Sequence, residues 1–416
     1  MKNILQFFSF KYLWLFFPLI IITLFVIQGI VGLLIYRDFS SLQFLLILVL
    51  GLSTYFITHF VITKHLKKSF GFLKAMEKYQ LPLDFWVMLI SLIYFSIVIY
   101  AVMSSEKIAL LESFKGASNF DMAIAREGLF KSRSGWEVSL KYLNSVLSMA
   151  FMPLILAIAY LKNKPYKHLL LLLFVLSILP SLEKSLAIKV FSPLIILSLN
   201  QFFSRRAGWV FVAVMLLVIY STTVLSRVGS DEVQQIQTEK HTRTFHEIKY
   251  SPITVGGQVG YMANRILWIP YITAYDWLKF FNEKLNGQYL LGRTSLIVSQ
   301  ITSQTQYPME QEVFKYQFGG ASELQTASAN TTFFVDIFVN FSWAGVVIFS
   351  CLLAFITRLV EVSDNPAGKA VFYYYVLQVS LGGIFGVLFS GGLLFFIFLI
   401  FILKPDAIES NGQKLS

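Results

Sequence analysis

Residues Leu13–Tyr36 read LWLFFPLIIITLFVIQGIVGLLIY, a run without a single charged side chain. A helix that crosses a bilayer needs about 20 consecutive, mostly apolar residues, and this run supplies them. It is too long for the core of a secretory signal, and no small-residue cleavage site follows it. We read it as an uncleaved first transmembrane helix.

Similar runs follow along the chain. They cover 42–62, 85–103, 144–161, 169–182, 186–203, 209–225 and 334–356. The last apolar block, 371–403, has 33 residues. As one helix it would measure about 50 Å against a hydrocarbon core of about 30 Å. A split near Ser390-Gly391-Gly392 makes it two spans, for about ten in all; one long tilted helix would make nine. The expected fold is all-α: a polytopic protein forming a single membrane domain over 1–416.

Composition points the same way. The chain is 56% hydrophobic and only 14% charged, where soluble domains carry about 25% charged residues. A folded soluble chain needs a polar exterior that this one lacks. The net charge of +11 raises a nucleic-acid reading. The basic residues sit mostly in short connections between apolar runs, which is instead how membrane topology is encoded. No nucleic-acid partner is expected. Cys351 is the only cysteine, so an internal disulfide and a cysteine-based metal cage are excluded.

Charge also sets a direction. With both termini in the cytoplasm, the inner segments hold sixteen Lys or Arg and six Asp or Glu, a net of +10. The outer segments hold eighteen and seventeen, a net of +1. The positive-inside rule favours this orientation. It leaves two large external segments, 104–143 and 226–332. The second is rich in Gln, Thr and Tyr, and it carries an amphipathic helix expected over 261–281.

Several chemistries have no signature here. No Gly-rich loop ends in Lys-Ser or Lys-Thr, no Asp-x-Asp pair is present, and no Ser-centred nucleophile elbow occurs. The closest histidines, His241 and His246, are five residues apart, so one helical face would not offer both to a metal. Chemistry must therefore be assembled from span ends and external segments, where polar groups are costly and tend to be functional.

Three places stand out. The turn Ser181-Leu182-Glu183-Lys184-Ser185 is followed by Lys189, about one helical turn into the next span. Lys189 is either a cationic contact for an anionic substrate or a lysine snorkelling to the interface. The external arginines Arg126, Arg133, Arg227, Arg265 and Arg293 form the second group. Each either binds phosphate oxygens through its planar fork or pairs with Glu127, Glu137, Asp231 or Asp276. Arg265 is the strongest candidate, because it lies among apolar and aromatic residues where a charge needs a partner. The third place is 330–345, NTTFFVDIFVNFSWAG, with Asp336 at the start of a span. Asp336 is either a helix-start carboxylate favoured by the macrodipole or a group that orients or deprotonates a sugar hydroxyl. The aromatics from Tyr261 to Phe281 are read as sugar-stacking groups or as an interfacial belt.

This third stretch resembles the Wzy-type oligosaccharide repeat-unit (O-antigen or polysaccharide) polymerases. Asn330, Phe334, Asp336, Asn340, Phe341 and Gly345, spaced N-x-x-x-F-x-D-x-x-x-N-F-x-x-x-G, carry the resemblance. The turn at Lys184, the segment Ile124–Gly128 and the order of spans around one dominant external loop are similar too. Lys184 stands where the family often has Arg in a Gly-Ser-Arg-like turn, and Ser342 stands for the Gly usual after the Phe.

The resemblance implies a GT-C-like glycosyltransferase at the outer face of the bacterial inner membrane. Its substrate would be an oligosaccharide repeat unit on undecaprenyl diphosphate, polymerised without nucleotide, metal or cofactor. The partners it implies are membrane lipids, a chain-length regulator and a flippase. On this reading Arg265 and Arg126 hold the diphosphate with Arg133 or Lys189, and Asp336 positions or activates the acceptor. Arg227, Arg293, Tyr261 and Asn330 are expected to contact substrate. A glycan ligase would share the arginines and differ in its acceptor. A lipid-linked oligosaccharide flippase would instead carry polar residues in mid-span and two related halves; no internal repeat is seen.

Overall fold

The computed structural model describes the chain apart from residues 1–8, 66–82, 118, 131, 226–248, 250–251, 254–259, 261–262, 319–328 and 404–416, and apart from the side chains at 83, 119, 120 and 184. The described residues form helices and connections, with no strand among them. Among the described residues six helices are long and apolar enough to cross a membrane: Phe10–Tyr36 (α1), Phe39–His65 (α2), Asp84–Met103 (α3), Gly135–Leu161 (α6), Arg205–Leu225 (α9) and Phe333–Val362 (α13). Shorter apolar helices are Lys167–Ser181 (α7), Ser185–Leu199 (α8) and Leu393–Ile402 (α15). Pro366–Leu381 (α14) is buried along most of its length. Short helices fill the two large connections: Ala109–Phe114 (α4) and Asn119–Phe130 (α5) in the first, and residues 264–283 (α10), Leu296–Ile301 (α11) and Met309–Phe318 (α12) in the second.

Large apolar side chains point away from the protein along α1, α2, α3 and α9. Leu34 is 68% exposed, Phe60 71%, Met88 67% and Leu217 62%. Water does not tolerate apolar faces of this extent, and lipid does. The chain is a multi-pass helical membrane protein.

Two hydrophobic clusters form the interior. One gathers α1, α2, α10, α13 and α14; the other gathers α3, α7, α8 and α9. Helix α6 is the seam between them. Ala150, Leu154, Ala157 and Ile158 face the first cluster, and Met152, Ile155, Leu156 and Ala159 face the second. The alternation follows from helical period, since residues three and four apart share a face. The most extensive contact is between α2 and α13. It depends on Gly51, where a Cβ would lie 2.2 Å from the Phe334 ring.

The sequence-based boundaries shift in informative ways. The span expected at 144–161 begins at Gly135, so Lys141 and Tyr142 ride on helix α6 instead of lying in a loop. The block 371–403 breaks twice. Helix α14 stops before Gly382-Gly383, a π-helical turn spans Gly386–Ser390, and α15 starts after Gly392, whose φ of +73° suits glycine. The expected break at Ser390-Gly391-Gly392 is present. However, α15 has 10 residues, about 15 Å, or half of a hydrocarbon core. Two full spans in this block are therefore not formed by the described residues.

Candidate functional site

Helix α13 begins at Phe333, and the sequence then places Asp336 and Asn340 one turn apart on the same face. Asp336 is 4% exposed and Asn340 is fully buried. A carboxylate serving only the helix dipole would sit in water; this one is enclosed and held. The Asn340 side-chain amide donates to Asp336 Oδ1 at 3.1 Å, and the Thr294 hydroxyl donates to the same oxygen at 3.4 Å. Asn340 Nδ2 also lies 2.9 Å from Thr294 Oγ1. Its Oδ1 accepts the Gly292 N–H at 3.0 Å. Asn340 thus ties the 290–294 turn to the carboxylate.

The other oxygen, Asp336 Oδ2, lies against the break between α14 and α15. A Cβ at Gly383 would be 2.8 Å from it, so any larger residue there would have to displace the carboxylate. The Ile384 main-chain N–H also faces the carboxylate. Immediately after Asn340 the helix is interrupted at Phe341 and Ser342, and Ser342 has φ +61° and ψ −162°. That conformation is essentially reserved for glycine.

Asp336 opens into a cavity of about 320 Å³ lined also by Glu310, Thr294, Trp277, Lys141 and Gly383. A second cavity of about 230 Å³ is lined by Arg126, Lys189, Glu183, Ser148, Tyr94 and Lys141. The two share a wall made of Lys141, Tyr142 and Ser390. Both lie at the end of the bundle that bears the two large connections. The π-helical turns at Leu147–Phe151 and Gly386–Ser390 contribute lining residues to them. Such bulges recur at functional sites because they redirect side chains without ending a helix.

The charges divide between the cavities. The first has two carboxylates, Asp336 and Glu310, and one cation, Lys141. Among the described residues the second has three cations, Arg126, Lys141 and Lys189, and one carboxylate, Glu183. Lys189 is 1% exposed, and its ammonium donates to Ser148 Oγ at 3.0 Å. It faces the cavity and does not snorkel to lipid. Arg126 Nε is buried and has no hydrogen-bond partner. Burial acts to lower the pKa of Arg126 and the nearby Glu183 acts to raise it, with a net lowering. A guanidinium stays protonated through such a shift, so Arg126 lines the second cavity as a cation, with Glu183 nearby.

The structure thus gathers Asp336, Arg126 and Lys189 around one pair of cavities and places Arg265, Arg133, Arg293 and Asn330 elsewhere. Arg265 is exposed, on the π-helical first turn of α10, and lines neither cavity. Arg133 is spent on the protein: it donates to Leu129 O, Ser104 Oγ, Ala101 O and Ser105 Oγ at 2.7–3.0 Å, and pairs with Glu137 at 3.2 Å. Arg293 donates to Thr305 O at 3.1 Å and lies over the Tyr307 ring, bracing its own loop. Asn330 is exposed. Arg227, Tyr261, His241, His246 and Asp231 lie outside the described residues, as does the Lys184 side chain.

The aromatics of α10 form neither an interfacial belt nor a stacking platform. Tyr271, Tyr275, Trp277, Phe280 and Phe281 are buried in the first cluster, and of these only Trp277 reaches the first cavity. Asp276, expected to pair with an arginine, is fully buried and accepts from Lys249 Nζ at 2.6 Å and Gln317 Nε2 at 2.9 Å.

Sequence reasoning did not single out Lys141, Glu310, Thr294, Gly383 or Ser148. Only Asn340 carried a usable signal, its spacing of four from Asp336. The chain gives no match to family models, to curated proteins or to solved structures.

Proposed function

We propose that this protein is a membrane glycosyltransferase that polymerises oligosaccharide repeat units carried on undecaprenyl diphosphate. On this reading it has about ten crossings in a GT-C-like arrangement, with both termini cytoplasmic and the paired cavities at the outer face of the bacterial inner membrane. The single observation that carries the proposal is the shared wall: a cavity with a guanidinium and a buried ammonium adjoins one with a fixed, buried carboxylate.

Polymerisation needs such a division. The acceptor hydroxyl oxygen bonds to the anomeric carbon of the donor chain. The carbon–oxygen bond to the diphosphate breaks, and its electron pair leaves with the lipid diphosphate. Arg126 and Lys189 neutralise that leaving group in the second cavity. Tyr94, Val98 and Val102 give this cavity an apolar wall on α3 suited to a lipid-borne group. Asp336 takes the hydroxyl proton in the first cavity, its orientation fixed by Asn340 and Thr294. The glycine-only conformation at Ser342 adds support, because the family pattern has Gly at that position.

The test is polymer length in cells carrying Arg126→Ala or Asp336→Asn, with protein level measured in membranes. Each change is expected to remove long chains while single attached repeats persist, with a rate loss of about 10²–10³. Normal chains at normal protein level would sink the proposal. Loss of all attached glycan would point to a ligase using the same site.

A further inference from the structure

A third polar cavity, of about 400 Å³, lies at the opposite end of the bundle. It is lined by Phe10, Lys11, Trp14, His59, Thr63, Arg358, Glu361 and Lys369. These come from the start of α1, the end of α2, the end of α13 and the start of α14. Arg358 stands 22 residues beyond Asp336 on α13, roughly 30 Å by helical rise, so this cavity is remote from the other two.

Its charges are not balanced internally. Among the described residues Glu361 is the only carboxylate in the lining, and it is taken up by His59 at 3.0 Å and by Arg358 Nη1 at 3.1 Å. Among the described residues Arg358 Nε, like the Thr63 hydroxyl, is buried without a hydrogen-bond partner. Among the described residues the ammonium groups of Lys11 and Lys369 make no hydrogen bond or close ion pair; Lys11 lies over the Tyr12 ring, and Asp364 and Glu361 act on Lys369 from a distance. Two ammoniums without a hydrogen bond among the described residues and the Arg358 guanidinium therefore line one space. An oxyanion with several acceptor oxygens would pair with these cations.

We propose that this cavity binds the phosphate of an anionic glycerophospholipid. The position selects a lipid over a soluble anion. The cavity sits where four helices end, Trp14 stacks on His59 at its wall with ring centroids 5.2 Å apart, and Phe10 supplies apolar surface. Tryptophan concentrates at the headgroup level, and basic pockets between transmembrane helices take lipid headgroups. The proposal is independent of the transferase reading.

The full-length protein, purified in neutral detergent, is titrated with phosphatidylglycerol or phosphatidylcholine of the same acyl chains, and retained lipid is counted by native mass spectrometry. Phosphatidylglycerol is expected to be retained in preference. Neutralising Lys11 or Lys369 to Gln is expected to lower its retention about fivefold each. Lys315→Gln, on α12 at the other end, is expected to change nothing. Because Lys11 is exposed, Lys11→Gln reports on the site even where Lys369→Gln disturbs α14. Equal retention of the two lipids, or unchanged retention in Lys11→Gln and in the folded double variant, would overturn the proposal. So would displacement of bound phosphatidylglycerol by inorganic phosphate, which would assign the cavity to a soluble anion.

Discussion

The Asn340 side-chain amide donates to the Asp336 carboxylate at 3.1 Å from one turn further along the same helix, while its carbonyl oxygen accepts the Gly292 N–H. Asn340 therefore couples the buried Asp336 carboxylate, which opens into the first cavity, to a turn in the large connection. Replacing it by Leu leaves the Gly292 N–H unsatisfied and the carboxylate less well fixed. An unsatisfied buried group costs about 1–3 kcal/mol. We expect Asn340→Leu to lower thermal stability in detergent by that amount and to shorten polymer; unchanged stability would contradict the coupling.

Gly383 sets how closely Asp336 approaches the α14–α15 break. Its backbone φ is not in the left-handed region, so alanine is conformationally permitted there. The added Cβ nevertheless meets Oδ2 at 2.8 Å and must move the carboxylate. Gly383→Ala should reduce polymerisation by tenfold or more, with a stability loss of about 1–3 kcal/mol. Full activity at normal protein level would show that the Asp336 position is not critical.

Ser342 is held at φ +61° and ψ −162°, at a cost of order 1–3 kcal/mol for a residue with a Cβ. Ser342→Gly relieves that strain, offset by about 0.5–1 kcal/mol of added freedom in the unfolded chain. The net expectation is a gain of about 1 kcal/mol, read as a raised Tm in detergent. Ser342→Val should lower it. A fall in Tm for the glycine variant would show that the serine side chain contributes more than the strain costs.

Arg126 and Arg265 separate cleanly. Arg126→Ala empties a cationic site in the second cavity and should abolish long chains, whereas Arg126→Lys keeps charge and should keep part of the activity. Arg265 is exposed and lines neither cavity, so Arg265→Ala should stay within about 0.5 kcal/mol of the parent in stability and give normal polymer. Short chains from Arg265→Ala would show that α10 moves toward the site during turnover.

Asp38, in the connection between α1 and α2, has its pKa held below the ordinary carboxylate range. Burial acts to raise it, and hydrogen bonds from Ser41 and the Tyr275 hydroxyl outweigh burial. A carboxyl depressed in the folded state stabilises above its unfolded pKa of about 3.9, and that contribution is lost as pH falls through the folded value. The docking of α10 onto this connection should therefore hold from neutral pH to about pH 5 and weaken below about pH 4. The stability gap between the parent and Asp38→Asn should close over the same range; a gap that persists into strong acid would contradict this.

The membrane class, most helix boundaries and the break at Gly391-Gly392 were legible in the sequence, because hydropathy, glycine content and helical period are local properties. The i,i+4 pairing of Asp336 and Asn340 was legible for the same reason. The fate of each cation was not. Arg133, Arg293 and Arg126 look alike as residues, and partners from distant segments decide among them: four oxygen acceptors and Glu137 consume the first, Thr305 and Tyr307 hold the second, and the third keeps a buried Nε without a partner. The aromatic stretch of α10 was equally undetermined, since burial depends on what packs over it, here α1, α2 and α13. Lys141 entered the shared wall only because α6 begins nine residues earlier than its apolar run. A sequence supplies the charges; the tertiary structure decides which of them remain unsatisfied, and an unsatisfied charge facing a cavity is what a ligand can use.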